Sequence, residues 1–222
     1  MHVCLFDIDG TLLNSGGAGK AAIEAALVED FGVTMRVEVT YSGRTDRAIT
    51  RDLLQLHGIE PTAANRQRLQ RGYLARLPAS LTANGGTVCR GVPALLATLA
   101  ADTRFTLGLL TGNIREGARL KLGHFDLGHH FAIGGFGDEH FERDDVAREA
   151  LAAVEAHCNG RHSPDRIWVI GDTPLDVQCA RAIGARAVAV ATGWHSLEQL
   201  QATKPDLLLT DLSDPSPLLR LF

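Results

Sequence analysis

Six short runs rich in aliphatic residues, at 3–6, 105–110, 131–133, 167–170, 187–190 and 207–209, are apolar at consecutive rather than alternate positions. Each is followed within a few residues by glycine or aspartate. Consecutive apolar positions mark strands buried on both faces, and such strands belong to sheets covered on both sides. Helical patterns at 93–101, 115–122, 144–157 and 175–183 separate most of them. Alternation of this kind predicts an α/β fold, a three-layer Rossmann-like parallel sheet with helices on both faces. Residues 14 to about 88 break the rhythm. Apolar residues recur there at helical spacing, as in Ala22, Ala25, Ala26 and Val28, then Ile49, Leu53, Leu54 and Leu56, then Leu69, Tyr73, Leu74 and Leu77, with no convincing buried strand. The pattern predicts an all-helical cap domain at 15–88 inserted into a core made of 1–14 plus 89–222, with Asn84-Gly85-Gly86 as the return hinge.

Composition narrows the function classes. The 222 residues carry 22 Lys+Arg against 26 Asp+Glu, a formal charge of −4, with 45% hydrophobic residues. That balance lies outside the range of disordered chains. Net negative charge argues against nucleic acid as a partner, because phosphate-backbone binders need clustered cations. Asp7 arrives too early for a secretory leader and no apolar stretch could span a bilayer, so a cytoplasmic protein without membrane contact is expected. Cys4, Cys89, Cys158 and Cys179 are widely spread and read as reduced core thiols.

The chemistry-bearing residues cluster at strand ends. Asp7-Ile8-Asp9-Gly10-Thr11-Leu12 follows the first run, Thr111-Gly112-Asn113 the second, and Gly171-Asp172-Thr173-Pro174-Leu175-Asp176 the fourth. Carboxyl ends of parallel strands are where open α/β sheets bind ligands, and Gly10 permits a tight turn that lets Asp7 and Asp9 face one crevice. Thr111 to Asn113 precede a helix, a position at which free backbone N–H groups and the helix dipole are expected to receive an anion.

Together these segments resemble the haloacid dehalogenase superfamily, near its phosphoglycolate phosphatase and β-phosphoglucomutase branch, over the whole chain and including the inserted cap. The resemblance implies a phosphatase acting on a small phosphorylated metabolite, phosphoglycolate-like or a sugar phosphate. It assigns Asp7 as the nucleophile that becomes an aspartyl phosphate and Asp9 as general acid and then base. It implies Mg²⁺ as cofactor, held by the Asp7 and Asp172 side chains and the Asp9 backbone carbonyl, with Asp176 nearby. Oxygen-only ligands and a doubly charged phosphate both favour that ion. Serving as acid at neutral pH would require the acidic neighbours of Asp9 to raise its pKa. Thr11, Thr111, Gly112 and Asn113 would bind substrate. The Lys-Pro that the family uses upstream of its last motif is absent, leaving Arg143 and Lys121 as alternatives for the phosphate cation. Arg44, in Ser42-Gly43-Arg44-Thr45-Asp46, is a candidate for a substrate carboxylate, although Ser42 or Thr45 could equally be a helix N-cap there. A phosphomutase with the same residues, or a phospho-aspartyl signalling protein without turnover, are the alternatives. A monomer or homodimer is compatible with the chain.

Three lookalikes fail. Gly16-Gly17-Ala18-Gly19-Lys20 lacks the outer residues of a P-loop, since Asn14 and Ala21 stand where Gly and Ser or Thr are needed. Gly134-Gly135-Phe136-Gly137 reads as a loop, and His124, His129, His130 and His140 lack partners at zinc-ligand spacing.

Overall fold

The computed structural model describes residues 1–35, 39–160 and 162–222. Six parallel strands form the main sheet: β1 (His2–Phe6), β4 (Phe105–Leu110), β5 (Ile133–Gly135), β6 (Ile167–Gly171), β7 (Arg186–Val190) and β8 (Leu207–Leu209). Their order is β5-β4-β1-β6-β7-β8. Pleating explains the consecutive apolar residues. Cys4, Phe6, Trp168, Ile170, Val188 and Val190 enter one apolar layer, while Val3, Leu5, Ile167, Val169, Ala187 and Ala189 enter the other. Helices α4 (Val92–Ala100), α5 (Arg115–His124), α6 (Arg143–His157) and α7 (Pro174–Ala182) cover the two faces, with the shorter α8 (Leu197–Ala202) and α9 (Ser216–Leu219) near the C-terminus. β1 pairs with β4 on one side and β6 on the other, so chain order reverses across it. Its carboxyl end is therefore the switch point at which ligands bind in such sheets.

The remaining helices, α1 (Ala18–Phe31), α2 (Asp46–Leu56) and α3 (Ala63–Asn84), form a helical insertion around Ala22, Ala26, Leu27, Leu53, Leu54, Leu69, Tyr73 and Leu77. Ile114, from the segment leading into α5, completes that cluster and ties the insertion to the sheet layer. Val28 and Leu56, expected on the apolar face, are exposed at 39% and 48%; Leu27 is buried beside Val28 instead.

Two local expectations are corrected. The insertion is entered and left through an antiparallel ribbon, β2 (Leu13–Asn14) with β3 (Thr87–Val88), whose two-residue strands are too short to show periodicity. The edge strand β5 runs two residues later than the apolar run at 131–133, using Gly134 and Gly135 as strand residues rather than loop. A Cβ at Gly135 would lie 2.7 Å from the Ala150 backbone nitrogen, so glycine is what allows α6 to approach this strand. Phe131 instead packs edge-on against Phe6.

Candidate active site

Asp7 sits immediately after β1, its N–H donating to Ile170 O at 2.9 Å. The chain then turns, with the N–H groups of Leu12 and Leu13 both donating to Ile8 O and Gly10 at φ 89°. Across the switch point, β6 delivers Asp172 and α7 delivers Asp176. Thr173 caps α7, and Asp176 returns the favour by accepting from the Thr173 N–H and hydroxyl, a reciprocal capping box. One oxygen each of Asp7, Asp172 and Asp176 lie within 4.8 Å of one another, all three residues buried.

Three buried carboxylates this close require compensation. Arg143, at the start of α6 and 6% exposed, supplies a single guanidinium, with Nη2 3.0 Å from Asp7 Oδ1 and paired with Asp176 Oδ1. Its approach to Asp7 is an ion-pair contact, and among the described residues Asp7 Oδ1 accepts no hydrogen bond of good geometry. Three negative charges and one positive leave about −2, which matches a divalent cation. The all-oxygen donor set and the unused Asp7 oxygen fit Mg²⁺. Without a cation, burial followed by the neighbouring carboxylates pushes the Asp172 carboxyl upward. Burial likewise raises Asp7 against the opposing pull of Arg143. Thr11, expected to face substrate, donates its hydroxyl to Asp172 Oδ1 at 3.1 Å and is fully buried. Two glycines press on the same carboxylate: a Cβ on Gly10 would lie 2.7 Å from Asp172 Cγ, and one on Gly193, after β7, 2.6 Å. Thr192 holds that second loop in place by donating to Gly10 O at 2.5 Å.

Asp9 faces a separate cation. Lys121, 5% exposed on α5, donates to Asp9 Oδ2 at 2.5 Å and to Asn113 Oδ1 at 2.7 Å. Asn113 Nδ2 donates to Asp9 Oδ2 at 2.8 Å and to Thr111 Oγ1 at 2.9 Å. Arg143 and Lys121, posed by the sequence as alternatives, are thus both present, on different carboxylates. The expected upward shift of Asp9 is reversed. Burial raises its carboxyl, but the Lys121 cation and the Lys121, Asn113 and Ser15 hydrogen bonds outweigh this and hold it below the ordinary range.

A further correction concerns the N-terminus of α5. Two of its leading amides are already taken by protein: Ile114 N–H donates to Asp46 Oδ2 at 2.9 Å and Arg115 N–H to Asp138 Oδ2 at 2.8 Å. Two protein carboxylates already take the favourable end of this dipole. Nor does Arg44 reach the acidic cluster. Its guanidinium pairs with Asp52 at 2.5 Å and donates to Thr40 O, a contact within the insertion. Thr45 is the N-cap of α2, accepting from Ala48 N–H, while its own hydroxyl donates to Phe141 O at 3.1 Å. Thr45, Asp46 and Arg47 thus hydrogen-bond from α2 and its cap to the core, the last donating to Asp138 O at 2.9 Å. The sequence assigned no role to Ser15, Thr192 or Gly193, and within residues 42–46 it pointed to Arg44, Ser42 and Thr45 rather than Asp46, whose partner Ile114 lies 68 positions away.

A six-stranded parallel sheet with buried carboxylates at its switch point and helices inserted after the first strand defines an α/β scaffold with its candidate site at the strand ends. Residues 4–190 match the haloacid dehalogenase-like hydrolase family, and the chain belongs to it. Within that family it is a phosphatase. It is 31% identical over 216 residues to a phosphoglycolate phosphatase of Synechococcus elongatus, covering 96% of this chain and 95% of that one. Among solved structures it resembles a predicted phosphoglycolate phosphatase from Haemophilus somnus, with TM-score 0.75, 20% identity and coverage of 99% and 98%. It also resembles CbbY from Rhodobacter sphaeroides in complex with phosphate, with TM-score 0.76, 18% identity and coverage of 97% and 96%. No helix among the described residues is long and apolar enough to cross a membrane.

Proposed function

We propose that the chain is a Mg²⁺-dependent phosphatase of a small phosphorylated metabolite, phosphoglycolate-like or a sugar phosphate, working through an aspartyl phosphate on Asp7. The observation that carries this reading is the buried Asp7, Asp172 and Asp176 cluster, against which the described residues set one guanidinium, that of Arg143. Asp7, Asp172 and Asp176, with the Asp9 carbonyl, would hold the metal, which supplies charge neutralisation for a phosphate approaching these carboxylates.

In the first transfer an Asp7 carboxylate oxygen bonds to phosphorus as the ester P–O bond breaks, and Asp9 gives its proton to the leaving oxygen. In the second, Asp9 takes a proton from water as that water bonds to phosphorus, and the bond to Asp7 breaks. Asp9 is held ionised by Lys121 in the free protein. A phosphate drawing Lys121 toward itself weakens that hold, so substrate binding would favour the protonated, acid form. Arg143 fixes Asp7 in position, and Thr11, Gly10 and Gly193 fix Asp172. The helical insertion, residues 15–88, would act as the cap that excludes water and selects substrate. Supporting this reading, α2 and its cap hydrogen-bond to the core at residues 112, 114, 138 and 141, beside Asn113, and Ser15 lies against Asp9. The test is turnover of a panel of phosphorylated metabolites including 2-phosphoglycolate, with Mg²⁺ and with EDTA. Release of phosphate only with metal supports the proposal, and metal-independent turnover overturns it. Including glucose 1-phosphate with a bisphosphate activator separates hydrolysis from mutase activity.

A further inference from the structure

Asp46 opens α2 in the insertion, yet both its main chain and its side chain bond to the core. Its N–H donates to Gly112 O at 2.7 Å, and its carboxylate Oδ2 accepts from Ile114 N–H at 2.9 Å. The two bonds straddle Asn113. That residue carries the carboxamide joining Lys121 to Asp9, donating to Asp9 at 2.8 Å and accepting from Lys121 at 2.7 Å. Close approach at this point is built in. A Cβ on Gly112 would lie 2.8 Å from the Arg44 carbonyl carbon, and one on Gly137 would lie 2.9 Å from the Gly112 carbonyl carbon. Glycine at 112 thus lets the insertion backbone press directly onto the core segment, and glycine at 137 lets the neighbouring core loop close against residue 112.

From this geometry we infer that Asp46 is a positioning residue: it clamps the main chain on both sides of Asn113 and so makes the alignment of Asp9 and Lys121 depend on docking of the insertion. Asn113 bridges a carboxylate and an ammonium through one side-chain amide, and the backbone on either side sets where that side chain starts. A carboxylate is also the favoured group for the first amides of a helix. The groups facing Asp46 are Lys121 and Asp9 across Asn113, Asp138 on the neighbouring loop, and Tyr73 from α3. Burial, against the pull of Lys121, moves the Asp46 carboxyl up to about 6. The clamp itself stands on the two hydrogen bonds. The inference rests on the proposed phosphatase reading only for its kinetic consequence.

The experiment compares the full-length protein with Asp46→Ala and Asp46→Asn. Amide exchange at Ile114 and the side-chain ¹H–¹⁵N resonances of Asn113 read the clamp without any turnover. Asp46→Ala is expected to accelerate Ile114 exchange and shift the Asn113 resonances, whereas Asp46→Asn, which keeps an acceptor oxygen, restores most of both. Unchanged exchange and resonances in Asp46→Ala overturn the clamp. With a hydrolysed substrate in hand, Asp46→Ala lowers kcat by about tenfold or more, consistent with misalignment of a catalytic group, while half-saturation by Mg²⁺ stays within about twofold. A kcat equal to wild type with Ile114 freed overturns the link to Asp9, as does loss of Mg²⁺ affinity in its place. If wild type turns over no phosphorylated compound, the phosphatase reading fails and the exchange and resonance results still decide the clamp. Should Asp46→Ala not fold, Asp46→Ser, whose hydroxyl is too short to reach the Ile114 amide, carries the same expectations.

Discussion

Gly193→Ala adds one methyl group and changes no charge, yet the structure expects a severe loss of activity. The new Cβ would stand 2.6 Å from Asp172 Cγ, whereas carbon atoms in contact settle at about 3.5–4.0 Å. The carboxylate, or the loop carrying residue 193, must therefore move by about 1 Å. Gly193 does not occupy the left-handed backbone region, so alanine brings no conformational penalty of its own and the effect is confined to this contact. Asp172 cannot retreat freely: Thr11 donates to its Oδ1, and Gly10 presses on it from another direction. Mg²⁺ tolerates little displacement of a ligand, since its octahedral distances are about 2.0–2.1 Å. A misplacement of about 1 Å in such a site costs on the order of 100-fold, about 2.7 kcal/mol of transition-state stabilisation. The assay is kcat/KM at saturating Mg²⁺, followed by a Mg²⁺ titration, with thermal unfolding as the control for folding. A loss of this size together with weaker half-saturation by Mg²⁺ is expected. Wild-type kcat/KM and unaltered metal dependence would refute the assignment of Asp172 as a ligand.

Lys121→Met removes the cation from Asp9, leaving burial to raise its carboxyl, so the pH at which kcat falls on the acid side should move upward and the rate drop about 100-fold; a pH–rate profile superimposable on wild type would refute the pairing. The raised carboxyls of Asp7 and Asp172 bind more protons in the metal-free fold than in the unfolded chain, so metal-free stability should rise as pH falls from 8 toward 6. Ligation needs those groups ionised, so Mg²⁺ binding should release protons and weaken over the same range; calorimetry in buffers of different ionisation enthalpy reads this, and zero proton release would contradict it. Gly135→Ala forces a methyl against the Ala150 backbone, an overpacking cost of about 1–3 kcal/mol, which thermal unfolding would show as a fall in Tm of roughly 3–10 °C.

How much of this was legible in the sequence depended on whether partners were close in the chain. Asp7, Asp9, Asp172 and Asp176 declare themselves because each pair sits in one short turn after a doubly buried strand. The sheet was readable for the same reason, since residues such as Val169 and Ile170 are apolar in succession. The protonation of Asp9 was not readable, because its governing cation lies 112 positions away on α5. Capping of α5 by Asp46 and Asp138 likewise joins an insertion and a loop that no local pattern connects. The shift of β5 onto Gly134 and Gly135 went unseen because close packing by α6 selects glycine there against strand propensity. Arg44 has the right chemistry for an anion, and in the structure it pairs with Asp52, eight residues on.

If Asp7 carries the phosphoryl group, quenching the enzyme during turnover with a hydrolysed substrate and Mg²⁺ traps an acid-stable, base-labile phosphate that peptide mass spectrometry can locate. Phosphorylation is expected on the peptide containing Asp7, absent when Asp7→Asn is substituted and turnover abolished. A phosphate found on another residue, or undiminished turnover by Asp7→Asn, would contradict this role of Asp7.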